Sequence, residues 1–315
     1  MKNSIPTITV VGSYVTDLMC RTPKMPVPGE TVFAGPFKMG PGGKGSNQAV
    51  AAKRAGADVT LITKLGRDAL GEYAFKIIAA EGIKTDFIYF DDKLATGAAL
   101  IIVDASGQNM IAVSTEACET LSTQEAMDAK ARIQSSDVLL AQYEGSLEGM
   151  AAAIRIAKSS GVKIILNPAP ARPIDPELLK SVDIITPNES EAQSLTGIRI
   201  VDPQSAGEAA QKIHAMGPGI VIVTLGKTGV LVYADQSMTL VPSIEVETVD
   251  TTGAGDAFSG GLAAAIAEGK DILQAVKFAT CTAALSVTKV GTAPSMPFRN
   301  EIEALIKKAS NQQLL

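Results

Sequence analysis

Hydrophobic positions along the chain come in two repeating kinds. The short runs Ile8–Val11, Val59–Thr63, Val138–Gln142, Lys163–Leu166, Ile184–Thr186 and Ile220–Leu225 are rich in β-branched and aliphatic residues and nearly free of polar ones. Between them lie longer segments with helical spacing: Ser46–Ala55, Gly71–Ala80, Leu147–Ser159, Glu189–Leu195, Ala206–Met216 and Gly255–Glu268. A strand without polar alternation is buried on both faces. Its regular exchange with helices predicts a mainly parallel sheet covered by helices on both sides. Ligands of such sheets bind beyond the carboxyl ends of the strands.

Two stretches break the alternation. Glu30–Phe37 reads as a strand entering a glycine-rich loop. Gly97–Val103 and Met110–Ser114 flank Asp104-Ala105-Ser106-Gly107, the mark of a hairpin. These segments have no helical partner. They form either a small separate sheet, serving as a lid or dimer surface, or an antiparallel extension of the main sheet. No repeat, low-complexity tract or interdomain linker is visible. A single domain over residues 1–315 is expected, with lid strands drawn from about 15–40 and 95–116. Only Ser310 to Leu315 reads as loose.

Composition narrows the function classes. A net charge of −5 over 315 residues lacks the basic face of a nucleic-acid binder. No apolar run is long enough to span a bilayer, and Lys2 leads straight into Ile8-Thr9-Val10-Val11, so a cytoplasmic location is expected. Cys20, Cys118 and Cys281 form no CxxC pair, which speaks against zinc or a disulfide framework. His214 is the only histidine and sits in a helical stretch, so a His-based triad is not expected.

Four motifs carry chemistry. In Asp250-Thr251-Thr252-Gly253-Ala254-Gly255-Asp256, small residues open an apolar helix. Crowded N–H groups and the positive end of the helix dipole make an anion hole there. Asp256 in the first turn is placed to take a proton from a substrate hydroxyl. A plain helix start, with Asp256 serving the dipole, would look the same. Gly42-Gly43-Lys44-Gly45-Ser46-Asn47 permits close approach of a ligand, with Lys44 and Asn47 as polar groups; Gly45 after the lysine excludes a Walker A loop. Thr186-Pro187-Asn188-Glu189-Ser190-Glu191 reads as a capping box, and also as carboxylates where a Mg²⁺–phosphate site would need them. Thr224-Leu225-Gly226-Lys227-Thr228-Gly229 is either a nucleotide-phosphate contact or a tight turn into Val230–Tyr233.

Together these segments resemble the ribokinase family of carbohydrate kinases, over nearly the whole chain and in order. The match includes Gly12-Ser13 with Asp17, Pro28-Gly29-Glu30-Thr31, Gly42–Ala49, Asn167-Pro168-Ala169-Pro170-Ala171, Thr186–Glu189 and Asp250–Asp256. The Gly-Gly-Lys-Gly-x-Asn-Gln-Ala and Asn-Pro-Ala-Pro-Ala runs point to its ribokinase and deoxyribokinase branch. The resemblance implies a Rossmann-like three-layer αβα sandwich with a small β-sheet lid, often the dimer interface. It implies ATP-dependent phosphorylation of the terminal hydroxyl of a pentose. Sugar contacts would come from Ser13, Val15, Asp17, Gly43, Lys44, Asn47, Glu144 and Asp256. ATP would lie along Asn188, Thr224, Leu225, Gly226, Lys227, Thr228, Gly229 and Gly255, reaching Thr280. Mg²⁺ would sit near Glu191. K⁺ would be held by Asp250, Thr252, Ser286, Lys289, Gly291 and Ser295, in part through main-chain carbonyls.

Two positions depart from ribokinase. Val15 stands where ribokinase has Asn, and Glu116-Ala117-Cys118 where it usually has Gly-Ala-Asn. Both lie on the sugar side, and deoxyribokinases carry an apolar residue at the first. Fructokinase-like and adenosine kinase-like activities, and a sugar-binding regulator without turnover, are the rival readings. An intact Gly253–Asp256 favours an enzyme, and the 4% aromatic content offers little to clamp a nucleoside base.

Overall fold

The structure, a computed structural model, describes residues 5–311. Its strands are β1 (Thr7–Val11), β2 (Val15–Arg21), β3 (Lys38–Gly42), β4 (Asp58–Gly66), β5 (Ile88–Asp91), β6 (Thr96–Val103), β7 (Asn109–Glu116), β8 (Val138–Gln142), β9 (Lys163–Asn167), β10 (Ile184–Ile185), β11 (Ile220–Thr224), β12 (Val230–Ala234) and β13 (Ser237–Val241). Nine form one sheet in the order β13-β12-β11-β10-β9-β8-β1-β4-β5. All its pairings are parallel except β11 with β12 and β12 with β13.

Alternate residues of single strands explain the lack of polar positions. Val10, Leu140 and Ile165 face one core, with Leu262, Ala263 and Phe278 of the helices Ala254–Ala267 and Ile272–Ser286. Their neighbours Val11, Leu139 and Ile164 face a second core, with Ile154 and Ile213 of the helices Leu147–Ser159 and Pro203–His214. Each such side chain stabilises the fold by about 1.5–3 kcal/mol. The chain runs outward from β1 through β4 to β5, then returns to β8 on the other side of β1. Strand order therefore reverses between β1 and β8, and a crevice is expected at their carboxyl ends.

The remaining strands form a separate sheet in the order β3-β2-β6-β7, antiparallel except for β2 with β6. It is not an extension of the main sheet. The hairpin is present, but Glu30–Phe37 holds no strand. Phe33 in its middle is 92% exposed, and Pro36 removes a backbone donor. The strand that enters the glycine-rich loop is β3, paired with β2 through Leu18 and Met39. Beyond the glycines, the helix Lys44–Arg54 begins two residues before the expected start. Its Gly45 lies so close to the β1–β2 turn that a Cβ there would come within 2.6 Å of the Ser13 nitrogen.

Of the segment expected to be loose, Ser310 ends in the helix Arg299–Asn311, while residues 312–315 lie outside the described residues. Cys20, Cys118 and Cys281 are free thiols. His214 stacks edge-on against Tyr233 at 5.1 Å and pairs with the Pro218 carbonyl, a histidine engaged in holding the fold. Among the described residues no helix is long and apolar enough to cross a membrane.

Candidate active site

The carboxyl ends of the parallel strands border a cleft of about 170 Å³. Eight of the residues singled out above line it: Lys44, Asn188, Glu191, Thr224, Gly253, Ala254, Gly255 and Asp256. Asn167, Ala169, Thr186, Thr251 and Ser259 complete its wall.

Asp256 occupies the first turn of the helix Ala254–Ala267. Gly253 caps that helix at φ 79, a left-handed conformation that a side chain would strain. The first bond of the helical ladder runs from the Ala257 N–H to the Gly253 carbonyl at 2.8 Å, so the preceding amides lie outside it. One of them is committed elsewhere: the Ala254 N–H meets the Thr251 carbonyl at 3.2 Å. Beside Gly255 the space is open, with nothing within 4 Å of where a Cβ would stand. The open part of this helix start is thus at Gly255 rather than spread equally over three residues.

The Asp256 carboxylate is buried and held from two sides. Asn47 Nδ2 donates to Oδ2 at 2.9 Å, and Gln48 Nε2 donates to Oδ1 at 3.0 Å. Burial raises its proton affinity. The Lys44 ammonium and the two amides oppose that, Glu144 reinforces it, and the net shift is upward. Lys44 shifts upward as well, because Asp256 faces it, with Glu144 and Glu191 adding to the effect against the cost of burial. A cation and a carboxylate in one cleft favour each other's charged forms.

On the sugar side, Glu144 is pinned by the Ser13 hydroxyl and by the Lys44 main-chain N–H at 2.7 Å. Gly43, at φ 85, leaves room for Tyr14 and Val15, whose backbones a Cβ would strike at about 2.7–3.0 Å. Asp17 sits on β2 and is pushed up to about 6, by burial first and by the charges of Glu144 and Asp256, while the Thr292 hydroxyl partly relieves it. Val15 is buried, with its Cγ1 against Gly97 of β6.

Toward the expected nucleotide region, Asn188 and Glu191 form the capping box: Asn188 Oδ1 accepts from the Glu191 N–H at 2.8 Å, and Glu191 Oε2 accepts from the Asn188 N–H at 2.9 Å. Burial raises the Glu191 carboxyl despite that bond and Lys44. Thr224 is tied to this segment by its N–H to the Pro187 carbonyl at 3.0 Å. The residues after it make a single 3-10 turn, Gly226–Thr228, into β12. Leu225 and Thr228 border a second, smaller hollow beside Asp202 and Pro203. Gly229, at φ 115, is pressed against the Val241 carbonyl. Thr280 lies buried in the helix Ile272–Ser286, its hydroxyl without a partner among the described residues.

The residues expected to hold a monovalent ion cluster in part. Asp250 Oδ1 accepts from Thr252 N–H and hydroxyl at 2.9 and 2.7 Å, and Oδ2 accepts from the Gly291 N–H at 3.0 Å. Burial alone would raise this carboxyl, but those bonds and Arg21 hold it below the usual range. The Ser286 and Ser295 hydroxyls donate to the carbonyls of Ala283 and Thr292, and Lys289 Nζ pairs with Glu301. Any share these three take in a cation site falls to their main-chain oxygens.

Four residues that shape the site have no role assigned from the sequence: Gln48, Gln142, Asn167 and Thr292. Gln48 donates to Asn167 Oδ1 as well as to Asp256, and accepts from Gln142 Nε2 at 2.8 Å. Gln142 and Asn167 each close an otherwise apolar strand with an amide at its carboxyl end, which was the available sign. Thr292, which bonds Asp17 and the Pro41 carbonyl, had none.

Comparison with known proteins agrees with this geometry. The model of the pfkB family carbohydrate kinases matches residues 6–299. A ribokinase of Haemophilus influenzae is 42% identical over 303 residues, covering 96% of this chain and 99% of the relative. A deoxyribokinase of Salmonella typhi is 36% identical over 291 residues, covering 92% and 95%. The solved structure of Arabidopsis thaliana ribokinase complexed with ribose and ATP superposes with a TM-score of 0.89 at 30% identity, covering 96% of this chain and 99% of that one. The chain belongs to the pfkB family of carbohydrate kinases, within its ribokinase group, and is a phosphotransferase acting on a sugar hydroxyl.

Proposed function

We propose that the protein transfers the γ-phosphoryl group of ATP to the terminal (5-) hydroxyl of a pentose, D-ribose or 2-deoxy-D-ribose, giving the sugar 5-phosphate. The observation that carries this reading is the buried Asp256 carboxylate, fixed by Asn47 and Gln48 in the same cleft as the start of its own helix. A base beside oriented amide donors suits in-line phosphoryl transfer, where positioning and charge stabilisation supply most of the rate. Asp256 takes the hydroxyl proton. Gly255 and its neighbours stabilise charge on the transferring group, and Lys44 balances the carboxylates. Asp17, Asn47 and Glu144 orient the sugar.

The unpartnered Thr280 hydroxyl and the capping pair Asn188–Glu191 suit the nucleotide side. Glu191 would hold Mg²⁺, which neutralises phosphate charge when bound. Asp250 and the carbonyls of residues 286–295 would hold K⁺, whose charge favours the ordered turn ahead of the anion hole. Activity is then expected to be higher, by about fivefold or more, in potassium than in sodium at equal ionic strength. Equal rates in saturating amounts of both salts would remove the cation from the account.

The small sheet acts as a lid and joins two copies of the chain. Met110, Ile111 and Val113 on β7 are exposed, and the outer edge of β7 has no strand partner among the described residues. A mass measurement in solution checks this: Ile111→Lys is expected to convert a dimer to a monomer.

Between the two pentoses, 2-deoxyribose is expected to be used at least as well as ribose. Val15 offers no hydrogen bond. The neighbouring Tyr14 is buried, its hydroxyl accepting from Thr16 at 3.4 Å. The screen that tests the whole reading follows ATP consumption with ribose, 2-deoxyribose, fructose and nucleosides. Turnover confined to fructose or to a nucleoside overturns it.

A further inference from the structure

Gln48 and Gln142 are two of the most deeply buried polar residues in the chain, at 0% and 2% exposure. Neither lines the cleft. The amide of Gln48 is fully taken up by Asp256, Asn167 and Gln142, so what it contributes passes through those partners.

Those partners fix the direction of every amide. Asp256 Oδ1, as a carboxylate oxygen, can only accept, so the end of Gln48 facing it must be the NH₂ group. The second N–H of that group is spent on Asn167 Oδ1 at 3.0 Å. The Asn167 orientation is set in turn by its own Nδ2, which donates to the Thr186 carbonyl at 3.0 Å. The opposite end of Gln48 is then a carbonyl, and it receives Gln142 Nε2 at 2.8 Å. The chain of donors runs from Gln142 at the end of β8 to Gln48, which divides it between the Asp256 carboxylate and Asn167 at the end of β9.

We infer that Gln48, locked by Gln142, is the positioning residue of the base: it aims the Asp256 carboxylate at the cleft and keeps that carboxylate in its proton-accepting form. The inference rests on the reading of Asp256 as the base. Two donors to the charged form of a buried acid favour that form, and removing one shifts the balance toward the protonated acid. The other charged groups around Asp256 are Lys44 at the start of its helix, Glu144 after β8, Glu191 on its capping turn and Asp17 on β2. None of them donates a hydrogen bond to the Asp256 oxygens, so none duplicates Gln48.

The test is the pH dependence of kcat, with KM for sugar and ATP, in the wild type, Gln48→Met, Gln48→Glu, Gln142→Met and Asp256→Asn. Gln48→Met is expected to lower kcat at neutral pH about tenfold or more while both KM values stay within about twofold. The acid limb of its profile moves to higher pH, because the base is protonated sooner. Gln48→Glu keeps the side-chain volume but places a like charge against the base, so its acid limb moves further. Gln142→Met gives the same direction with a smaller displacement. A merely structural role predicts loss of thermal stability with the acid limb unmoved. That outcome, or a rise in KM matching the loss in kcat, overturns the inference. If Gln48→Met does not fold, the isosteric Gln48→Glu decides alone. An Asp256→Asn enzyme that still turns over removes the reading of the base itself. An inactive Asp256→Asn beside Gln48 variants with the wild-type limb removes only the inference.

Discussion

The body brings a buried carboxylate to the site and the small sheet a half-buried one, and the two are held differently. Asp256, on the body, receives two amide hydrogen bonds from the helix Lys44–Arg54 and faces Lys44. Asp17, on β2, receives one hydroxyl hydrogen bond at 3.2 Å, from a Thr292 that also reaches Pro41. Burial raises both, but no cation offsets it at Asp17, which is pushed up to about 6. The body side has the donors to its carboxylate in place before any ligand arrives. The sheet side is left one set of donors short, and the hydroxyl groups of a sugar are donors of that kind.

This contrast is broken most directly at Asp256. Asp256→Ala is expected to lower kcat by about 10²–10⁴-fold, the cost of losing a general base, while sugar still binds. Steady-state rates combined with sugar titration by calorimetry check it. A near-normal kcat would mean that the better-held carboxylate is only a helix cap.

Asp17→Asn sharpens the other side. As a carboxylate orienting sugar hydroxyls, Asp17 should fail as it protonates, so KM for sugar is expected to rise as pH falls below about 6. In the variant KM is about 10–100-fold higher, for a charged hydrogen bond of about 1.5–3 kcal/mol, and this pH dependence disappears. Stability should move the opposite way. The folded value of about 6 lies above the ordinary 3.8, so the folded chain binds this proton more tightly. The resulting stabilisation is fully present below pH 3.8 and is lost as pH rises through 6. At pH 7.5 the wild type carries a penalty of roughly 1–3 kcal/mol, reduced by the part of Asp17 that solvent reaches. The Asn variant is therefore expected to melt several degrees higher than wild type at pH 7.5, and with little difference at pH 4. Identical melting profiles across that range would show that Asp17 is not strained by burial.

The smallest effect concerns Val15, two residues before Asp17 on the same strand. Val15→Asn adds a polar amide to the sheet side and should shift kcat/KM toward ribose over 2-deoxyribose by about 1 kcal/mol. A wild-type preference for ribose of about tenfold or more would leave Val15 as a residue of the sheet interior with no bearing on the sugar.

The sequence showed these two regions with unequal clarity. The main sheet was legible because its core strands are apolar runs, and Asp256 stood out as a candidate because small residues and a carboxylate open its helix in one short segment. The helix Ile272–Ser286 escaped notice for the opposite reason: it is buried nearly all round, so Val276, Phe278, Ala279 and Cys281 leave no polar stripe to set a period. In the small sheet, β2 begins four residues after β1 ends, and its Thr16, Asp17 and Met19 give no strong alternation. β3 itself, Lys38–Gly42, carries Gly40, Pro41 and Gly42, residues that argue against a strand. The amides around Asp256 were the least legible, because Gln142 and Asn167 lie 94 and 119 residues from Gln48 and meet it only in the folded chain.

Thr292 has a thermodynamic meaning beyond its two contacts. Its neighbour Gly291 is bonded to Asp250, so one short turn is shared by the Asp250 loop and by Asp17 of the small sheet. Any agent that orders this turn must favour one placement of β2 and β3, and reciprocity requires the converse in equal measure. Whatever factor of affinity an ion at the Asp250 loop adds to the sugar, the sugar adds to the ion. Calorimetric titration of each in the presence and absence of the other measures that factor twice. A Thr292→Val enzyme, keeping the shape but not the hydroxyl, should bring it close to one.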